Sequence, residues 1–339
     1  MNKPKYWGVT AALPAPIIAA QTQQFEAMGL EGVFAAQVAS TPFIPLAAAA
    51  SATTRLRLAS GIALAFVRSP LETALCAMDM DRISNGRFTL GLGTSVQSWS
   101  EGFYGMPYGK PVEHMREVVD IVRTVVAKSH TGELTRYDGK YHTLDFSEWQ
   151  PGPPPVRTEL PIWIACLRTP LIRLAGEVAD GVMGHPIWSL DWASTKVLDD
   201  LKAGLVKGGK QRSEIEFNVW LWVAPNEDRK QALEDARATV AFYGGIEQYE
   251  EYFAAHGFRE EAKALQDGVK RGDYLGVRHL VSDDMASTFV VCGAPDEVRE
   301  RVSAIWEFAD SATLVPPAYG LDPGAMLQYS ARIADLFYS

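Results

Sequence analysis

Three short stretches of the 339-residue chain combine residue types that handle small ligands. Gly91-Leu92-Gly93-Thr94-Ser95 closes an apolar strand with glycines, which let a backbone come close to a ligand. Cys166-Leu167-Arg168-Thr169 opens a helix, whose first amides and positive dipole end suit a phosphate. Arg168 there either adds a charge-assisted contact or points outward as a solvated cation. His185, in Gly184-His185-Pro186-Ile187-Trp188, follows a strand directly; its imidazole can donate a proton near a cofactor or act as a structural hydrogen bonder. Gln37, Glu101 and His114 complete the polar candidates near strand ends, with a solvated loop carboxylate as the plain alternative for Glu101. Trp99, Phe103, Tyr104 and Trp188 form either a substrate wall or lid packing.

These residues need a scaffold, and residues 55–95 show which one. Leu56 to Phe66 has the apolar, β-branched and aromatic content of a strand. Ser69-Pro70-Leu71-Glu72 then reads as a helix start: Ser69 can accept from the amide three residues on, Pro70 sits where a helix does not need its N–H, and Glu72 can reach back. Ser84-Asn85-Gly86 stops that helix, since Asn and Gly tolerate the left-handed conformation, and Arg87 to Gly91 is the next strand. This is a β-α-β crossover, the unit of a parallel sheet, and such sheets carry their sites at the carboxyl ends of the strands.

The same alternation runs along the chain. Strands are expected over Trp7–Ala12, Gly32–Ala36, Leu56–Phe66, Arg87–Gly91, Pro161–Ala165, Asp180–Gly184, Ile215–Val223 and Ala312–Val315, with helices between them. The expected fold is α/β, a (β/α)8 TIM barrel in one domain over residues 1–339. Insertions are expected at about 94–110, 132–158 and 241–294. The second carries a hairpin signal around Asp138-Gly139, and the third, before the closing strand, is read as helix and loop throughout.

Composition sets outer bounds. A formal charge of −9 and the lack of basic clusters argue against a nucleic-acid surface. Cys76, Cys166 and Cys292 are odd in number and far apart, so neither a disulfide framework nor a zinc site is expected; the reducing cytoplasm is the expected location. Lys3 and Lys5 precede an apolar run, but Pro14 and Pro16 interrupt it, so the run is read as the first strand and helix and not as a secretory signal. No stretch is long and apolar enough to suggest a membrane span, and no metal-ligand spacing occurs among the histidines.

Four motifs carry a family likeness: GIALAFVRSP at 61–70, ISNGRFTLGLG at 83–93, LAGEVADG at 174–181 and VCGAPDEV at 291–298. In this order and spacing the chain resembles the luciferase-like flavin or deazaflavin oxidoreductases, and more narrowly their methylenetetrahydromethanopterin reductase branch, which uses coenzyme F420. The resemblance runs from about Tyr6 to Phe337. It implies a non-prolyl cis peptide at Gly61-Ile62, in a strand-three bulge that places Gly61, Ile62 and Ala63 against the cofactor ring. It also implies backbone contacts from Gly91, Gly93 and Thr94, and a phosphate site at Cys166, Leu167, Arg168 and Thr169. Glu177 and Asp180 belong to the motifs but read as barrel structure.

Two departures bear on substrate. Many relatives carry an acidic residue followed by histidine at the end of strand two, where this chain has Ala36-Gln37-Val38. Thr10 stands where the reductase branch has a carboxylate. His185, Glu101 and Gln37 are therefore the catalytic candidates. The resemblance implies hydride transfer between coenzyme F420 and a small organic substrate, in a homodimer. An FMN-dependent monooxygenase and a non-catalytic cofactor-binding protein are the alternatives.

Overall fold

A computed structural model describes residues 4–338; Lys3, named above, lies outside them. Eight strands alternate with helices: β1 (Tyr6–Thr10), β2 (Gly32–Ala35), β3 (Arg57–Ser60), β4 (Phe88–Gly93), β5 (Ile162–Cys166), β6 (Gly181–Gly184), β7 (Glu216–Pro225) and β8 (Ser311–Val315). The sheet order is β7-β8-β1-β2-β3-β4-β5-β6, and β6 pairs back on β7. The chain is a (β/α)8 barrel, as its alternation predicts. The register is parallel throughout, for example Gly32 beside Arg57 and Leu90 beside Ile162. Parallel strands covered by helices are buried along their whole length, which is why they read as nearly continuous apolar runs.

Four local differences from the sequence reading have physical causes. Strand three stops at Ser60 and resumes only at Ala63–Leu64, because residues 61 and 62 bulge out of the ladder. Ser69 caps its helix (Pro70–Ile83) as expected, but its hydroxyl takes the amide of Leu71, two residues on. The hairpin pairs Arg136–Asp138 with Thr143–Asp145 across a loop at 139–142 closed by Gly139 N–H on His142 O, longer than an Asp-Gly turn. The last insertion holds helices Arg229–Gly244, Glu250–Ala255, Arg259–Lys270 and Asp283–Phe289, whereas residues 276–282 form only a single 3-10 turn, Arg278–Leu280, between loop residues. It ends in a strand, Val290–Gly293, that pairs with the carboxyl end of β7. The last three residues of that strand open the VCGAPDEV motif.

The chain divides into two compact units by internal contact. The first comprises residues 7–183 and 199–217. Trp7, Phe34 and Trp163 fill its centre, Trp7 and Phe34 stacked with centroids 4.5 Å apart and Arg57 over both indoles. Arg87 binds the ends of two helices together: it donates to Ala50 O and Thr53 O at the end of Phe43–Ala52, to Ser84 O after Pro70–Ile83, and to Leu56 O. Glu177 pairs with Arg116 and Lys207, and Asp180 pairs with Arg123 while accepting the Ile162 amide. Both acids hold barrel elements in place, as read from the sequence.

The second unit comprises residues 4–6, 184–198 and 218–338 of the described chain. Its part of the barrel is tied by Asn218, which donates to Ser311 Oγ and accepts from Thr313 Oγ1, all three fully buried. Aromatic residues of the insertion fill the rest, with Tyr252, Phe253 and Phe289 in mutual contact.

Candidate active site

The first unit brings most of the expected cofactor residues together. Strand three ends where Gly61 N–H donates to Ala35 O at 2.8 Å, and the Gly61-Ile62 peptide that follows is cis. The bulge is held from strand two: Gln37 N–H donates to Ile62 O at 3.0 Å, and Gln37 Oε1 accepts from the Leu64 amide at 3.1 Å. Strand four supplies the other wall. A Cβ on Gly93 would lie 2.1 Å from Ile62 Cδ1, and one on Gly91 would lie 1.8 Å from Ser60 O. Ser60 Oγ both donates to Gly91 O and accepts its N–H. The GLG motif is therefore required by strand packing and by the seat of Ile62.

Gln37 is almost fully buried, and both ends of its amide are engaged. Besides the Leu64 amide, Oε1 accepts from Arg68 Nη2 at 3.0 Å, while Nε2 donates to the Tyr104 hydroxyl at 3.2 Å. In this conformation its amide positions the bulge. Arg68 lies 5.3 Å from the Phe43 ring centroid, and its Nη1 is buried without a partner. Burial pulls its pKa below the ordinary arginine value.

After β4, Thr94 and Ser95 turn the chain, with Ser95 in the left-handed region at φ 56°. Tyr108 closes this turn by donating its hydroxyl to Ser95 O at 3.0 Å. Its pKa is raised by burial, opposed by a hydrogen bond from Thr94 and by the charge of Arg168. Glu101 is exposed on a wide turn, Ser98–Phe103, where it accepts from Gln97 Nε2 and the Tyr108 amide. Trp99 packs on exposed Phe103.

Beneath that loop stands a pair of histidines. His114, on helix Pro111–Lys128, is sandwiched between Phe66 and Tyr141 with centroids at 4.0 and 4.3 Å. Its Nδ1 faces Tyr108 O at 3.0 Å and its Nε2 faces His142 Nε2 at 2.9 Å. Burial is the first cause lowering both pKa values. The sequence signals His114 only as a lone histidine; its partner lies in the hairpin, 28 residues on.

At the end of β5, Cys166 is buried and donates to Ile164 O, and burial raises its thiol pKa well above the usual range. It is a neutral packing group. Arg168 precedes helix Thr169–Val178 in extended conformation, with its side chain exposed. Thr169 Oγ1 donates to buried Asp200 at 2.6 Å, which also accepts from Arg173. The threonine hydroxyl thus anchors the helix, and Arg168 is the cation presented at its start.

The second unit holds the remaining candidate. His185 Nδ1 accepts the Ile187 amide at 3.2 Å, so Nε2 carries the hydrogen and donates it to Tyr249 Oη at 3.2 Å. Burial lowers its pKa to about 3, so the ring is neutral at ordinary pH. It meets Tyr243 and Tyr249 edge-on, and those two phenols are parallel. Trp188 is 1% exposed, packed where a Cβ on Gly184 would meet it, and so belongs to the core and not to a substrate wall. The segment is fixed by Tyr252, whose hydroxyl donates to Ile187 O and accepts from the Ser189 amide.

Among the described residues no group of three His, Cys, Asp or Glu is arranged to hold a metal ion, and no helix is long and apolar enough to cross a membrane.

Comparison with known proteins places this parallel barrel in a class. The Luciferase-like monooxygenase family model matches residues 5–310, and the chain belongs to that family. It is 29% identical over 339 residues to the "Putative coenzyme F420-dependent oxidoreductase Rv3520c" of Mycobacterium tuberculosis, covering 92% of this chain and 93% of the relative. It is also 29% identical over 260 residues to the 5,10-methylenetetrahydromethanopterin reductase of Archaeoglobus fulgidus, covering 75% and 74% of the two chains. The fold matches the coenzyme F420-dependent tetrahydromethanopterin reductase of Methanopyrus kandleri with a TM-score of 0.80 at 21% identity, over 99% of this chain and 100% of that one.

Proposed function

We propose that the protein is an oxidoreductase that moves a hydride between coenzyme F420 and a small organic substrate. The observation that carries this reading is the bulge at Ile62, pinned by Gln37 on one side and seated against Gly93 on the other. A rigid wedge at the end of strand three suits a planar ring lying against it, because it shields one face of the ring and leaves the other for substrate. The relatives named for coenzyme F420 support the same cofactor.

The residues fit such a group. Backbone at Ile62, Ala63 and Thr94 would border the ring, and Arg168 would take the phosphate, a cation with no carboxylate partner among the described residues. When bound, a deazaflavin supplies two electrons as hydride. The chain's own contribution is to position the reactants and exclude water. Neutral His185 holds its Nε2 hydrogen on the Tyr249 hydroxyl, so the phenol proton is the one that this pair could offer. Glu101, exposed on its loop, would act only after loop closure.

Titration of the purified protein with coenzyme F420 and with FMN, following the fluorescence of its nine tryptophans, tests this. Micromolar F420 binding with much weaker FMN binding is expected. A preference for FMN would overturn the assignment in favour of the oxygen-dependent chemistry in the family's name.

A further inference from the structure

Arg68 makes no close ion pair among the described residues, Glu72 and Cys76 acting on it only at longer range, and its only hydrogen bond is from Nη2 to Gln37 Oε1. Its Nη1 is buried with nothing to donate to, whereas native structures satisfy nearly all such groups. The guanidinium carbon lies over the Phe43 ring. This cation is one side chain, Gln37, away from the Ile62 bulge. An arginine left in this state is matched in charge and geometry to a planar carboxylate, which takes two parallel N–H donors.

The cover over Gln37 is lightly held. Tyr104 is held to it by one long hydrogen bond of 3.2 Å and is 37% exposed. Gly102 and Gly105 flank it, both with open space where a side chain would be, and Gly105 has φ 65°. The loop backbone is tied by Tyr104 N–H on Trp99 O and Met106 N–H on Ser100 O, so the moving part is the Tyr104 side chain.

We infer that Arg68 is the anchor for a carboxylate of the acceptor substrate, reached when Tyr104 swings off Gln37. The substrate class is then a small organic acid. The inference rests on the proposed reading that cofactor and acceptor meet beside the Ile62 bulge, yet its test does not depend on F420.

The test is calorimetric titration of the full chain, with and without F420, using acetate, benzoate and succinate against their neutral amides acetamide, benzamide and succinamide. At least one acid should bind about tenfold or more tightly than its amide, the scale of a charge-assisted pair. Arg68→Gln should abolish that preference, and Arg68→Lys, which keeps the charge, should restore part of it. If the glutamine variant fails to fold, an intermediate preference in the lysine variant carries the same conclusion. Equal binding of acids and amides, binding of none, or a preference that survives in Arg68→Gln overturns the inference. F420 binding is read separately on the same samples, so its loss in the unmodified protein would overturn the cofactor reading alone.

Discussion

His114 and His142 face each other through their Nε2 atoms at 2.9 Å, and the tautomer of each follows. Tyr108 O can only accept, so His114 carries its hydrogen on Nδ1; its Nε2 is bare, and His142 must donate from Nε2. One added proton can be shared, since His142 can move its own hydrogen to Nδ1 and accept at Nε2; only a second would set N–H against N–H. The pair ties a helix, the hairpin and the loop at Tyr108 together while at least one of the two rings is neutral.

His142→Ala should therefore destabilise the protein by about 1–3 kcal/mol, the cost of a buried acceptor left unpaired. His142→Gln, which keeps an N–H donor, should lose less. Urea unfolding at pH 7.5 measures both, and equal losses would show that the imidazole contact contributes nothing beyond packing.

The depressed pKa of His185 gives a pH dependence of definite sign. Its folded value of about 3 lies below the ordinary histidine value, so over that interval the unfolded chain binds the additional proton and stability rises with pH. The contribution is complete above about pH 6.5, fades as pH falls, and stops changing near the folded value. Replacing His185 by Asn removes one proton from that linkage. The slope of unfolding free energy between pH 6 and 4.5 should become shallower by about 1.4 kcal/mol per pH unit. An unchanged slope would mean that the ring titrates normally in the fold.

The barrel was legible in the sequence because each of its strands is a short apolar run between strong helix signals. Ser69-Pro70 and Asn85-Gly86 are the clearest of these; Asn85 and Gly86 both take left-handed backbone, at φ 53° and 79°. Less legible were contacts fixed only in three dimensions. Gln37 read as a free polar group at a strand end, because nothing local shows that its amide is shared among Leu64, Arg68 and Tyr104. Thr169 read as part of a phosphate site, while its hydroxyl serves Asp200, 31 residues away. Strand Val290–Gly293 was hidden inside a segment dominated by helix patterns. It is only four residues long and is fixed by pairing with β7.

Gly91 and Gly102 should respond to alanine in opposite ways. At Gly91 the new carbon would lie 1.8 Å from Ser60 O, a backbone atom that cannot step aside without breaking strand three. Gly91→Ala should yield little folded protein. At Gly102 the position is open, and Gly102→Ala should change stability by less than about 1 kcal/mol. Thermal melts of the two variants decide the matter, and a folded Gly91→Ala would mean that the strands shift more readily than their hydrogen bonds suggest.

Arg87 tests how much one side chain holds the early barrel together. Its guanidinium serves carbonyls of Ala50, Thr53, Leu56 and Ser84 as well as Thr53 Oγ1. Arg87→Ala strips partners from two helix ends and should cost about 2–4 kcal/mol, with Arg87→Lys recovering only part, because an ammonium lacks the planar fork. A loss under 1 kcal/mol in denaturant melts would show that water replaces these bonds freely.

Arg168 separates cofactor binding from stability. It is exposed at the start of helix Thr169–Val178 and shares electrostatic reach with Tyr108, while Thr169 and Arg173 secure the helix through Asp200. Arg168→Ala should therefore leave unfolding unchanged and weaken F420 binding about tenfold, the scale of one charge-assisted contact. The loss should shrink in high salt, because an exposed pair is screened. Equal affinity in the variant would mean that Arg168 points into solvent and that the phosphate, if bound, rests on backbone amides alone.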